Sequence, residues 1–137
     1  MPLKLGAIAP DPGVALRAAR NLAAFYIPSM PPALLARHGI EAAEVAPILE
    51  AFAAGDVERA LDSTPEAVAD RIMVAGTPED WVAWLTSAYA PSGLNHALLS
   101  FADPFTVKAW ADLEVAGLPD LVGQVRLFGE RVLPELR

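Results

Sequence analysis

Apolar positions recur along most of this chain at helical spacing, and only two short stretches have the unbroken apolar character of a buried strand. The first stretch, Leu3 to Ala9, is closed by Pro10-Asp11-Pro12-Gly13. Asp11 stands at the N-cap position and Pro12 at the first helical position, which together start a helix. Val14, Ala18, Leu22 and Phe25 then form one apolar stripe up to Ile27, with Arg17, Arg20 and Asn21 on the opposite face. The second strand-like stretch is His96 to Phe101, closed by Asp103-Pro104.

Between these stretches proline and glycine cut the chain into short helices. Pro28, Pro31 and Pro32 end the first helix and open a brief one that stops at His38-Gly39. Val45, Ile48, Leu49 and Phe52 form an i, i+3, i+4, i+7 stripe up to Gly55, and Pro47 is expected in the first turn of that helix. Asp56 caps a helix through Leu61, and Thr64-Pro65-Glu66 opens another toward Ile72. The sharpest local signal is Gly76-Thr77-Pro78-Glu79-Asp80, with Thr77 as N-cap, Pro78 next and Asp80 completing a capping box. The helix it opens should run to about Tyr89 and bury Trp81 or Val82, Trp84 or Leu85, and Ala88. Phe105 to Val115 reads as an irregular helical turn. A final amphipathic helix spans Leu121 to Leu133, with Leu121, Val122, Val125, Leu127 or Phe128, and Val132 expected on its inner side. The order is strand, many helices, strand, helix, as in two parallel-type βα units separated by a helical excursion.

Composition narrows the class. The chain is 54% hydrophobic and 20% charged, with a mean hydropathy of +0.36, which excludes an intrinsically disordered segment. Charges at Arg17, Arg20, Arg37, Glu50 and Arg59 interrupt every apolar run before it reaches membrane-spanning length. The opening residues Met1 to Gly6 lack the features of a secretory signal, so a soluble, cytoplasmic protein is expected. A net charge of −7 argues against nucleic acid and against an anionic membrane surface as partners. The absence of cysteine removes disulfides, thiolate catalysis and iron–sulfur clusters.

Three segments, in order, resemble the C-terminal part of the luciferase-like monooxygenase family. They are Val74-Ala75-Gly76-Thr77-Pro78-Glu79-Asp80, Gly93-Leu94-Asn95-His96-Ala97-Leu98-Leu99-Ser100, and Leu127-Phe128-Gly129-Glu130-Arg131-Val132-Leu133-Pro134-Glu135-Leu136. Lys4 to Ala9 and the helix carrying Ala18-Ala19-Arg20 and Phe25-Tyr26 look like the stretch just upstream. The resemblance implies a helix-rich α/β chain, the C-terminal part of a (β/α)8 TIM barrel with about two parallel strands. Residues 3–27 would be the seventh strand and its helix, 28–75 a helical insertion, and 76–137 a helix, the last strand and the last helix. A whole barrel takes on the order of 250 residues, so this chain would hold only part of one. The implied activity is that of an oxidoreductase using reduced FMN or the deazaflavin coenzyme F-420. The chain would be a subunit or section without activity alone, and by itself it is expected to bind the cofactor weakly or not at all. The alternative is a non-catalytic barrel piece serving as an oligomerisation or interaction module.

Candidate site residues follow from barrel logic, which puts chemistry at the carboxyl ends of the strands. Ser100 is placed to hydrogen-bond a flavin edge and Asp103 to hold a ribityl hydroxyl, although Asp103-Pro104 equally makes a turn and Asp11 a helix cap. The N–H groups at Gly76 and Thr77 form a second candidate, for a cofactor phosphate, set against the negative charge of Glu79 and Asp80 beside them. His38 suits a helix C-terminus, and His96 suits the rim of a strand. The two histidines share no ligand spacing, so no metal site is expected. None of the five serines sits in a Gly-x-Ser-x-Gly turn, which leaves a hydrolase triad unsupported. Trp81, Trp84 and Trp110 are expected to pack core. Two strands cannot close a barrel, so self-association or a partner chain covering the strand edges is expected.

Overall fold

Three strands and seven helices make up the described part of the protein. The computed structural model describes residues 3–93, 98–102 and 115–136. Strand β1 (Leu3–Ile8) leads through Asp11 into helix α1 (Pro12–Tyr26). The Asp11 carboxylate accepts hydrogen bonds from the N–H groups of Gly13 (2.8 Å) and Val14 (3.3 Å), so Asp11 is a cap as its position indicates. Helices α2 (Pro32–Arg37), α3 (Ala42–Ala53), α4 (Val57–Asp62) and α5 (Glu66–Ile72) follow, then strand β2 (Met73–Gly76) and helix α6 (Pro78–Trp84). Strand β3 (Leu98–Phe101) and helix α7 (Leu121–Arg131) complete the order. His96, Asp103, the turn expected from Phe105 and Trp110 lie outside the described residues.

The strands form one parallel sheet in the order β2-β1-β3. Strands β1 and β3 pair in parallel with Leu3 opposite Leu98 and Gly6 opposite Phe101, as expected of the two apolar stretches. Strand β2 is an addition to the two strands read from the sequence. Its four residues, Met73-Val74-Ala75-Gly76, are too few to show a period. They merge in sequence with the helix start that follows them.

The chain divides into two compact units, one of residues 1–19 with 74–137 and the other Arg20–Met73. In the first, Ile8, Val74, Trp81, Leu85 and Val132 form the core, with Leu99, Phe101 and Phe128 packed against it. Trp81 is its centre. The indole is fully buried, donates from Nε1 to the Ala7 carbonyl at 3.1 Å, and meets Phe101 and Phe128 at 5.5 and 5.6 Å between centroids. Gly6 makes that packing feasible: a Cβ there would stand 2.5 Å from the Trp81 ring and 2.5 Å from the Val74 carbonyl oxygen.

Two expectations about buried faces fail in this unit. Ala88 is exposed, because α6 ends at Trp84 and the chain continues as a wide π turn over Leu85–Tyr89 that rotates position 88 outward. Leu121, Val122 and Val125 are 45, 65 and 54% exposed, and the inward position on α7 belongs to Gln124. One residue on, Val125 is turned about 100° from Gln124. Phe128, one turn beyond Gln124, continues the buried side toward Trp81.

The second unit is helical. Val45, Ile48 and Ala51 of α3 and Val68, Ala69 and Ile72 of α5 are buried, and Phe25 meets Phe52 at 5.4 Å. Asp56 caps α4 by accepting from the Arg59 N–H at 3.0 Å. Pro47 lies in the interior of α3, since the helix starts a turn earlier than expected, at Ala42. There proline lacks the N–H that would donate four residues back, to the carbonyl of Ala43. That residue is solvent-exposed.

Candidate functional site at the strand ends

Parallel α/β sheets place ligands beyond the carboxyl ends of their strands, most of all where the strand order reverses. Here the order reverses at β1, since β2 lies on one side of it and β3 on the other. The ends of interest are Ile8-Ala9 and Phe101-Ala102. Ala9 donates its N–H to the Gly76 carbonyl at 3.2 Å, and Ala102 donates to the Gly6 carbonyl at 2.7 Å.

Gln124 fills the space between those two ends. Its Oε1 accepts from the Ile8 N–H at 3.2 Å, and its Nε2 donates to the carbonyls of Ala102 (2.5 Å) and Pro119 (3.0 Å). The side chain is fully buried. It satisfies backbone groups from three segments that would otherwise be orphaned. α7 can deliver it because Asp120 caps the helix one turn earlier, accepting from the Gly123 N–H at 2.7 Å. Sequence reasoning missed Gln124. The available signal was one amide side chain among the apolar positions of the last helix.

At the end of β2 the expected capping box is complete. The Asp80 carboxylate accepts from the Thr77 N–H (2.9 Å) and Thr77 Oγ1 (3.0 Å), and Thr77 Oγ1 in turn accepts from the Asp80 N–H (3.3 Å). Gly76 has φ of 153°, and a Cβ there would fall within 3 Å of the Asp80 carboxyl group. Gly76 and Thr77 thus serve the capping of α6. An anion approaching the Thr77 N–H would meet a carboxylate already bound to it.

Ser100 occupies a different surface. Along β3, Leu99 and Phe101 turn toward the Trp81 core, whereas Leu98 and Ser100 are exposed on the other face. Ser100 stands opposite Leu5 of β1 in the register. The structure does not bring Ser100 together with Gly76 and Thr77 in a single described cleft, and Asp103 lies outside the described residues.

His38, in the helical unit, sits at the C-cap of α2 with Nδ1 3.0 Å from the Arg71 carbonyl, so that nitrogen carries the proton. Arg71 in turn forms a two-pronged pair with Glu44 at 3.0 Å for each contact and donates to the Gly39 carbonyl at 2.7 Å. The Arg71 hydrogen bonds, followed by the Glu41 N–H, hold the Glu44 carboxyl below the usual glutamate range. Among the described residues no group of three or more His, Cys, Asp or Glu is placed to hold a metal ion. No described helix is long and apolar enough to cross a membrane. The Tyr89 hydroxyl is buried without a hydrogen-bond partner among the described residues.

No family model and no curated protein sequence matches the chain. Among solved structures, a coenzyme F-420-dependent tetrahydromethanopterin reductase from Methanopyrus kandleri is similar. Its TM-score is 0.74 at 22% identity, over 98% of this chain and 34% of that one. The chain therefore spans about a third of the length of the reductase it matches. At that identity the likeness is one of architecture: nearly all of this chain has the fold of a stretch of that reductase.

Proposed function

We propose that this chain is a section or subunit of a luciferase-like oxidoreductase that uses a deazaflavin, coenzyme F-420. The observation that carries the reading is the match of 98% of the chain to a stretch of an F-420-dependent reductase. It is reinforced by the three ordered segments around Val74, Gly93 and Leu127, which resemble the same broad family. A bound deazaflavin would accept or donate the hydride, and the protein would hold and shield it.

The described residues do not by themselves enclose such a ring. Gln124 occupies the gap between the ends of β1 and β3, and Asp80 occupies the start of α6. What remains open is the face of β3 that carries Leu98 and Ser100. We assign Ser100 as a cofactor contact, with Asp103 beside it in sequence, and derive no chemical step. A second copy or a partner chain would supply the other walls. Support for such a partner comes from the exposed Leu98 and from the outer side of α7, where Leu121, Val122 and Val125 lie uncovered.

The test is equilibrium dialysis of coenzyme F-420 and of FMN against the purified chain, with light scattering to give its mass. The expected result is an assembly larger than one chain that binds F-420, with Ser100→Ala weakening binding by roughly 1 kcal/mol, the worth of one lost hydrogen bond. A stable monomer that takes up neither cofactor at millimolar concentration would refute a site built between copies of this chain. FMN binding in preference to F-420 would overturn the deazaflavin assignment alone.

A further inference from the structure

Exposed apolar surface concentrates at the last helix. Of the nine large apolar residues exposed among the described residues, five lie here: Leu121, Val122 and Val125 of α7, and Leu133 and Leu136 of the closing 3-10 turn. At about 100° per residue, Val122, Val125 and Gly129 fall within an arc of about 60°, on the side of α7 away from the buried Gln124. A Cβ at Gly129 would meet nothing within 4 Å. The chain's own packing therefore does not call for a glycine there, although glycine weakens a helix relative to alanine. Bare backbone within an apolar stripe suits the close approach of another helix.

The border of the stripe selects the partner. Arg126 and Glu130, one turn apart, flank it on one side; both are exposed, and neither enters an ion pair among the described residues. When two copies of α7 pack antiparallel about a two-fold axis, the same border of each helix meets on the same side. Arg126 then faces the partner's Glu130, and Glu130 faces the partner's Arg126. In a parallel pair that border would meet the opposite one, which carries Leu121, and both charges would go unpaired. The net charge of −7 opposes self-association in general, but Arg126 and Glu130 cancel at this surface.

We infer that α7 is the docking surface for a second copy of this chain, paired antiparallel through Val122, Val125 and Gly129 with reciprocal Arg126–Glu130 ion pairs at the rim. α7 lies on the Trp81 side of the sheet and Ser100 on the other, so the pairing is separate from the deazaflavin reading. Mass measured without cofactor decides it. A single helix pair is a small interface, so a reversible dimer in the micromolar range is expected by sedimentation equilibrium. Val125→Glu should abolish the dimer with the far-UV spectrum unchanged. Gly129→Leu fits the free chain and should weaken the dimer while the melting midpoint of the monomer holds or rises. Arg126→Glu or Glu130→Arg alone should raise the dissociation constant on the order of tenfold, since each places like charges face to face at the rim. Mixed in equal amounts, those two variants should recover the parental affinity, because every rim contact is again an opposite pair. A parent chain that stays monomeric at millimolar concentration would overturn the inference. So would a dimer that survives Val125→Glu, or a mixture that associates no more tightly than either variant alone.

Discussion

Replacing Gly6 by alanine adds one methyl group at a crowded point of the sheet. The new carbon would lie 2.5 Å from Trp81 Cζ2 and 2.5 Å from the Val74 carbonyl oxygen. Neither neighbour yields cheaply. Val74 belongs to the backbone of β2, and the indole is fixed by its bond to the Ala7 carbonyl and by Phe101 and Phe128. Overpacking of this kind costs about 1–3 kcal/mol, and loss of the indole hydrogen bond adds about 1 kcal/mol. A loss of about 3 kcal/mol is therefore expected, or a fall in melting midpoint on the order of 10 °C for a domain of this size. Urea unfolding followed by far-UV circular dichroism reads it. Trp81→Phe, which removes the ring edge that clashes, should recover part of the loss in the double variant, so the two substitutions should be non-additive. A Gly6→Ala protein within 0.5 kcal/mol of the parent would refute this account of the core.

Gln124→Leu keeps the volume and strands the Ile8 N–H with the Ala102 and Pro119 carbonyls, so a loss of about 2–4 kcal/mol is expected, together with faster exchange of the Ile8 amide. Thr77→Ala should cost about 1 kcal/mol of stability by removing the cap of α6, and should leave any cofactor affinity unchanged. Tyr89→Phe deletes a buried hydroxyl that has no partner among the described residues, so stability should hold or rise by about 1 kcal/mol, and a clear loss would refute that reading. Glu44 has a folded-state pKa below its unfolded one, so its stabilising effect is present above the ordinary glutamate value and is lost as pH falls through the folded one. Denaturant midpoints measured downward from neutral pH should decline over that acidic window, and less steeply in Glu44→Gln.

Much of the architecture was legible because it rests on local chemistry. Asp11-Pro12, Asp56 and Thr77-Pro78 set helix starts through bonds two or three residues long, and the structure has those bonds. The pairing of the two apolar stretches was legible as well. What escaped was set by tertiary partners. Gly6 weakens a strand by propensity, yet it is there because an indole from residue 81 lies over it. Apolar periodicity placed Leu121, Val122 and Val125 inward, whereas the strand ends needed an amide and drew Gln124 in instead. Candidate site residues were least legible, since capping and ligand binding use the same residue types: Gly76 and Thr77 serve the first, and Ser100 stands apart on an open face.

The placement of β1 between two later strands has a consequence for how the protein reaches its native state. Leu3 pairs with Leu98, a separation of 95 residues (98 − 3), and the Ala9 N–H waits for the Gly76 carbonyl, 67 residues on (76 − 9). Loop closures of that length precede any reward from the sheet, and they slow folding much more than they alter stability. The helices between them are held largely by near neighbours and can form on their own schedule. During synthesis β1 emerges before β2 and β3 and stays unpaired on each side until they have followed. Its short length, with a glycine at its centre, makes it a poor template for pairing with other chains during that interval.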